Sequence, residues 1–255
     1  MTMRWLAPLA IVLALLGAWE LAAQWDLLAD ALSIEPFLIP APSDIAEALW
    51  EDRELLADNA WVTLEEIVLG FALAVAAGVG FAVALHLSPA LRRAFYPLLV
   101  ASQTVPIIVI APILVVWFGF GIGPKLAIIA LICFFPITVN TLDGLRSVDP
   151  ELRKLMRTLD AGRWQTLRRV EAPAALPYFF SGAKIAVAVA VIGAVFGEWA
   201  GSDSGLGHLM LQASAQLLTA RVFAAVVVLS AFAIALFGLL TLLERRFAWW
   251  GERSA

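Results

Sequence analysis

Residues 151–199 read ELRKLMRTLDAGRWQTLRRVEAPAALPYFFSGAKIAVAVAVIGAVFGEW. The two halves of this stretch belong in different solvents. Up to Pro177 it carries six bases, and Leu152, Leu155, Met156 and Leu159 recur at helical spacing, so it reads as a basic, amphipathic segment. Tyr178–Trp199 then runs for 22 residues with only Lys184 and Glu198 charged. A spanning helix needs about 20 mostly apolar residues, so this run crosses a bilayer and the fold is all-α and polytopic.

Five further runs have the same character: Trp5–Gln24, Trp61–Leu85, Tyr96–Phe118, Lys125–Leu142 and Val222–Leu243. The whole composition agrees. Hydrophobic residues make up 62% of the 255 and charged residues 15%, against about 45–50% and about 25% in soluble domains. One soluble core of this size cannot hide that surface, which excludes a water-soluble enzyme and a disordered chain. Cys133 is the sole cysteine, so no internal disulfide forms. The first run has a second reading as a signal peptide, with Arg4 ahead of it and Leu21-Ala22-Ala23 near a cleavage site. Its length and its flanking tryptophans favour a retained span.

Charge sets the orientation. Between the first two runs lie nine acids (Asp26, Asp30, Glu35, Asp44, Glu47, Glu51, Asp52, Glu54, Asp58) and one base, Arg53. Alternation of six spans puts 13 of the 17 bases on the opposite side, including Arg4, Arg92, Arg93, Arg146, Arg245, Arg246 and Arg253. The positive-inside rule makes that side cytoplasmic, with both termini on it. Trp5, Trp25, Trp61, Trp117, Trp199, Trp249 and Trp250 fall near span ends, as an aromatic belt requires.

Outside the membrane, residues 34–59 begin with Ile39-Pro40-Ala41-Pro42, and Ser43 is placed to cap a helix carrying Ile45, Ala46, Leu49 and Trp50 on one face. That segment reads either as an interfacial helix or as a solvated connector. The loop 143–177 is more specific. Asp149-Pro150-Glu151 is a strong helix start, Asp160-Ala161-Gly162 a turn, and Trp164, Leu167 and Val170 share a second helical face that Pro173 and Pro177 end. Such a pair of basic, amphipathic helices either docks a protein or rests on anionic lipid.

No catalytic constellation is present. His86 and His208 have no Cys or His at metal-ligand spacing. Gly119–Lys125 resembles a phosphate loop only superficially, since Pro124 breaks the required Gly-Lys and lacks an N–H. No ionisable side chain falls near a bilayer midplane, where ion-coupled carriers place them; Lys184 can snorkel to the cytoplasmic side. Small residues instead recur at i+4: Ala74, Gly78 and Ala82, then Gly182, Ala186, Ala190 and Ala194, a ridge that continues to Glu198. Glu198 reads as a snorkelling surface charge or an outer gate. Pro106, Pro112 and Pro136 lie inside spans, with Gln103 and Thr104 just before the first, and mark either a cavity or ordinary membrane-helix kinks.

The segment Glu151–Pro177 resembles the EAA loop of permease subunits in ATP-binding-cassette importers. The likeness continues through Ser181–Ala186, Gln103-Thr104-Val105-Pro106, Ala111-Pro112, Trp117-Phe118-Gly119, Phe134–Ile137, Asn140–Leu145, Glu198–Gly201 and Gly205-Leu206-Gly207. It departs at Asp160, where the family has Gly, and at Lys154-Leu155-Met156, where it has Glu-Ala-Ala; Val170-x-Ala172-Pro173 keeps the pattern. The branch resembled transports nitrate, sulfonates, taurine, hydroxymethylpyrimidine or riboflavin, and Thr104–Leu145 is most similar to the pyrimidine and riboflavin type.

The resemblance implies a type I importer permease fold in a bacterial inner membrane, forming a homodimer. It implies ATPase subunits docking on Glu151, Leu152, Leu155, Met156, Leu159, Asp160, Ala161, Gly162, Trp164, Val170, Ala172 and Pro173, and an external binding protein that delivers substrate. The pathway and gate would involve Gln103, Thr104, Pro106, Asn140, Glu198 and Trp199. The chain itself would bind no cofactor, ATP being held by the partner, and no metal or nucleic acid. The competing classes are a stand-alone channel or secondary carrier and a membrane-embedded enzyme; absent midplane charge counts against the former, and absent catalytic groups against the latter.

Overall fold

The structure is a computed structural model that describes residues 3–25, 27, 33 and 35–248, with side chains from residue 10 onward. Trp249, Trp250, Arg253, Asp26, Asp30 and Ile34 lie outside the described residues, as do the side chains of Arg4 and Trp5. Among the described residues every regular element is helical. Helices α1 (Met3–Gln24), α2 (Pro42–Glu51) and α3 (Arg53–Leu87) are followed by α4 (Pro89–Ala101), α5 (Ile107–Phe118) and α6 (Ile122–Arg146). The short α7 (Pro150–Thr158) and α8 (Arg163–Thr166) precede α9 (Ala172–Gly201), α10 (Leu206–Ala215) and α11 (Thr219–Phe247).

Four stretches are long and apolar enough to cross a membrane: Arg53–Leu87, Ile122–Arg146, Arg163–Gly201 and Thr219–Phe247. The α4–α5 pair makes a fifth if it is taken as one broken span; α1 is a further apolar helix of 22 residues. The third span is not the single helix that Tyr96–Phe118 predicts. Its two halves are bent by 102°. Pro106 has no N–H and its ring crowds the carbonyl four residues back, so Val105 is driven to φ −85°, ψ 118° and the helix stops.

The chain divides into two compact units, residues 1–62 with 204–230 and residues 63–203 with 231–255. In the first, Arg221 grips the Asp52 carboxylate with two bonds of 2.6 and 2.8 Å, and Trp19 packs on Phe223. Helix α2 starts two residues earlier than a Ser43 cap would have it, with Ala41 as its cap. Pro42 takes the first turn and the Asp44 carboxylate accepts the Ala41 N–H at 2.9 Å. Ser43 instead donates its N–H and hydroxyl to Glu20. Residues 53–59, read as part of the outer segment 34–59, are the first turns of α3, whose 35 residues span about 52 Å and overreach a 30 Å hydrocarbon core.

The second unit is built around α6. Its partners α3 and α9 press small residues onto it, with Ala74, Gly78 and Ala82 buried on α3 and Gly182, Ala186, Ala190, Ala194 and Glu198 all buried on α9. A Cβ added at Gly182 would stand 2.5 Å from the Pro136 carbonyl oxygen and 2.7 Å from Asn140 Cβ. Only a hydrogen side chain allows that approach. Pro173 and Pro177 do not stop the helix before span five. A π turn over Leu167–Glu171 widens the ladder just before Pro173, and α8 runs into α9 without a break.

Candidate functional site

Helix α7 forms because Asp149 caps it, its carboxylate accepting the Glu151 N–H at 2.8 Å, and Pro150 suits the first turn. Its end is a Schellman motif. The Asp160 N–H donates to the Arg157 carbonyl at 3.1 Å and the Ala161 N–H to the Met156 carbonyl at 3.0 Å. This geometry needs a left-handed residue at Asp160, and its φ is 53°. Gly162, at φ −65°, is not the turn residue but starts α8, its N–H bonded to the Gln165 side chain.

Among the described residues nothing covers the apolar stripe of α7: Leu152, Leu155 and Leu159 are 48%, 54% and 68% exposed. Met156 is half-buried, and Glu151, Asp160 and Gly162 are exposed beside them, with Ala161 half-buried. The second face divides. Trp164 is exposed, Leu167 is buried against Leu145 and Ala175, and Val170 is half-buried. Ala172 is exposed and Pro173 half-buried at the start of α9.

Of the predicted pathway residues, Gln103, Pro106 and Asn140 line one groove of about 510 Å³, together with Ser102, Phe135 and Ile185. The rest of its wall is aliphatic, and among the described residues no charged side chain lines it. Asn140 spends one N–H on the Pro136 carbonyl at 2.7 Å. Thr104 does not line the groove; its hydroxyl donates to the Ala101 carbonyl at 2.8 Å.

Glu198 and Trp199 lie elsewhere. Trp199 is 42% exposed, edge-on to Phe196. Glu198 is 1% exposed and accepts the Thr63 hydroxyl at 2.6 Å, so the snorkelling reading fails: the small-residue ridge that carries it is packed against α3 and α6. Beside it is a buried ion pair that the sequence reading did not find. Lys125 Nζ donates to Glu66 and, at 2.8 Å, to Ser202, with both members of the pair under a tenth exposed. Extending the Ala74–Gly78–Ala82 ridge back at the same i+4 step reaches Gly70 and Glu66, which was the available signal. Lys184 pairs with Glu244, near the end of α11. His86 is not isolated: its Nε2 lies 2.8 Å from Glu171 Oε2.

Comparison with known proteins agrees with this architecture. The family model described as "Binding-protein-dependent transport system inner membrane component" matches residues 74–249. A probable ABC transporter permease protein of Haemophilus influenzae is 39% identical, covering 98% of this chain and 99% of that one. The formylaminopyrimidine transport permease protein ThiX of Halalkalibacterium halodurans is 37% identical over 98% and 97%. The riboflavin transport system permease protein RibX of Chloroflexus aurantiacus is 37% identical over 84% and 81%. A chain of the inward-facing MetNI methionine ABC transporter shares the fold at a TM-score of 0.62 and 19% identity, over 74% of this chain and 96% of that one. With helices that match a type I importer permease and relatives aligned nearly end to end, the chain belongs to the binding-protein-dependent inner membrane components and is an ABC importer permease subunit.

Proposed function

We propose that the chain, paired with a second copy, forms the pathway by which a bacterial inner membrane importer takes up a small uncharged heterocycle, of the formylaminopyrimidine or riboflavin kind. The observation that carries the substrate class is the groove at Gln103, Pro106 and Asn140. Its polar groups are two amides and a hydroxyl set in aliphatic wall, without a cation. Such a lining suits a neutral ring that exchanges hydrogen bonds, whereas a sulfonate or nitrate would be desolvated without a counter-charge. The 37% identity to the formylaminopyrimidine and riboflavin permeases supports the same choice; taurine and alkanesulfonates are the second reading.

In this account the basic side is cytoplasmic, with both termini there. An external binding protein delivers substrate, and ATPase subunits, which hold the ATP, grip the exposed Leu152–Leu155–Leu159 stripe. Glu198 acts as a gate by exchanging partners between states. The test is uptake by proteoliposomes containing the permease, its ATPase and its binding protein. ATP-dependent accumulation of the pyrimidine or riboflavin, uncompeted by taurine, is expected. ATP-dependent accumulation of taurine alone would overturn the substrate class, and ATP-independent uptake the importer mechanism.

A further inference from the structure

Five arginines from four helices converge on one cavity of about 410 Å³: Arg92 of α4, Arg146 at the end of α6, Arg153 and Arg157 of α7, and Arg163 of α8. The only carboxylate in its lining is Glu171, 8% exposed. That acid is already engaged, by Arg153 Nε at 2.8 Å and by His86. Arg153 also donates to the Leu145 carbonyl at 2.9 Å, and Arg163 to the Leu87 carbonyl. Arg153 thus has Glu171 as its counter-charge, whereas the Leu87 carbonyl fixes Arg163 without neutralising it. Among the described residues Arg92, Arg146 and Arg157 have no hydrogen-bond or ion-pair partner. The positive-inside rule accounts for arginines on this side of the membrane; it does not account for five of them facing one cavity.

The cavity is separate from the docking stripe. Arg153 and Arg157 lie one turn apart on α7, roughly 100–160° around the helix from Leu152, Leu155 and Leu159, and none of those leucines lines it. Helix α7 therefore shows an apolar edge to one partner and a cationic edge to another. The cavity also sits where α3 ends, at Leu87, and where α6 ends, at Arg146, so it lies at the polar boundary of two helices long and apolar enough to cross a membrane.

We infer that this cavity binds a phosphate group, with the planar, multi-donor guanidinium ions as its ligands. At that boundary the phosphate is that of an anionic phospholipid headgroup or of a soluble phosphate compound. The leaflet follows from the proposed orientation; the site itself does not depend on it. A bound headgroup would tie the root of the coupling loop to the lipid surface.

The test uses the permease–ATPase complex in nanodiscs made of equal parts phosphatidylcholine and phosphatidylglycerol. Native mass spectrometry after detergent extraction reads the lipid retained, and titration with inorganic phosphate reads the soluble alternative. Phosphatidylglycerol is expected to be retained over phosphatidylcholine. The Arg92→Gln/Arg146→Gln variant, which leaves α7 and α8 untouched, should lose about tenfold of that preference, or about 1.4 kcal/mol, and still co-purify with the ATPase. The Arg92→Lys/Arg146→Lys variant should keep part of it and shows that the glutamine result is not misfolding. Phosphate binding that the glutamine variant abolishes, without lipid preference, would assign the site to a soluble phosphate. Equal retention of both lipids with no phosphate binding would overturn the inference. Loss of the ATPase from the glutamine variant would also overturn it, giving the cavity to acidic side chains of that subunit. Uptake, measured separately in proteoliposomes of the same lipids, is independent: its loss with lipid retention intact counts against the importer reading only.

Discussion

Replacing Lys125 by Met should destabilise this protein severely, and replacing Glu66 by Leu in the same chain should restore it. Lys125 and Glu66 are 7% and 2% exposed at their side chains, and Glu66 Oε2 has no hydrogen-bond partner, so Lys125 is the main compensation for that carboxylate. Removing one member of such a pair costs about 3–5 kcal/mol, because a buried charge is left uncompensated, whereas apolar replacement of both is close to neutral. For a chain of this length that cost lowers the melting temperature by about 6–20 °C, at roughly 2–4 °C per kcal/mol. Cys133 supplies the assay. It is the sole cysteine and fully buried, so a fluorogenic maleimide reacts only as the detergent-solubilised protein unfolds. Lys125→Met should melt early, and Lys125→Met/Glu66→Leu within a few degrees of the parent. A single variant as stable as the parent, or a double variant no better than the single, would refute the reasoning.

Other substitutions follow from the same structure. Asp160→Gly should leave stability and uptake intact, because the position is left-handed. Asp160→Val should cost about 1–2 kcal/mol and weaken ATPase co-purification; the reverse order in the maleimide assay would contradict the turn. Gly182→Ala should cost about 1–3 kcal/mol by overpacking against Pro136 and Asn140. Gly80→Ala, with nothing within 4 Å, should be neutral or up to about 1 kcal/mol stabilising, and equal effects would mean the helices are not locked at Gly182. Glu198→Gln should change the ratio of basal ATPase activity to transport in the reconstituted complex, and an unchanged ratio would remove Glu198 from the gate.

Four spans were legible because each contains an apolar run about as long as a bilayer core is thick, and the loop 149–162 because its cap, stripe and turn are all local. Asp160 could be read as the turn residue since a Schellman motif is fixed within six residues. What was not legible depends on partners distant in sequence. Lys125 stands at the start of one apolar run and Glu66 about one turn inside another, Trp61–Leu85; only the packing of α3 and α9 on α6 brings them together. His86 looked isolated for the same reason, its carboxylate being 85 residues away. Proline was read too uniformly. Pro106 does break its helix, as the bend shows, but Pro173 and Pro177 sit beside a π turn that absorbs the mismatch. Glu198 followed its ridge into the interior, which its position near a span end did not reveal.

The central claim is that ATP hydrolysis by a separate subunit drives this permease through the exposed stripe of α7. Leu155→Asp and Leu159→Asp test it most directly, since both side chains are more than half exposed and carry little of the chain's own folding energy. The measurement is ATPase co-purification together with ATP-driven uptake in proteoliposomes, beside the Cys133 melting curve. The account predicts an unchanged melting temperature with the ATPase and uptake lost, because each aspartate puts a charge into an apolar contact. Variants that still carry the ATPase and transport at the parent rate would contradict it.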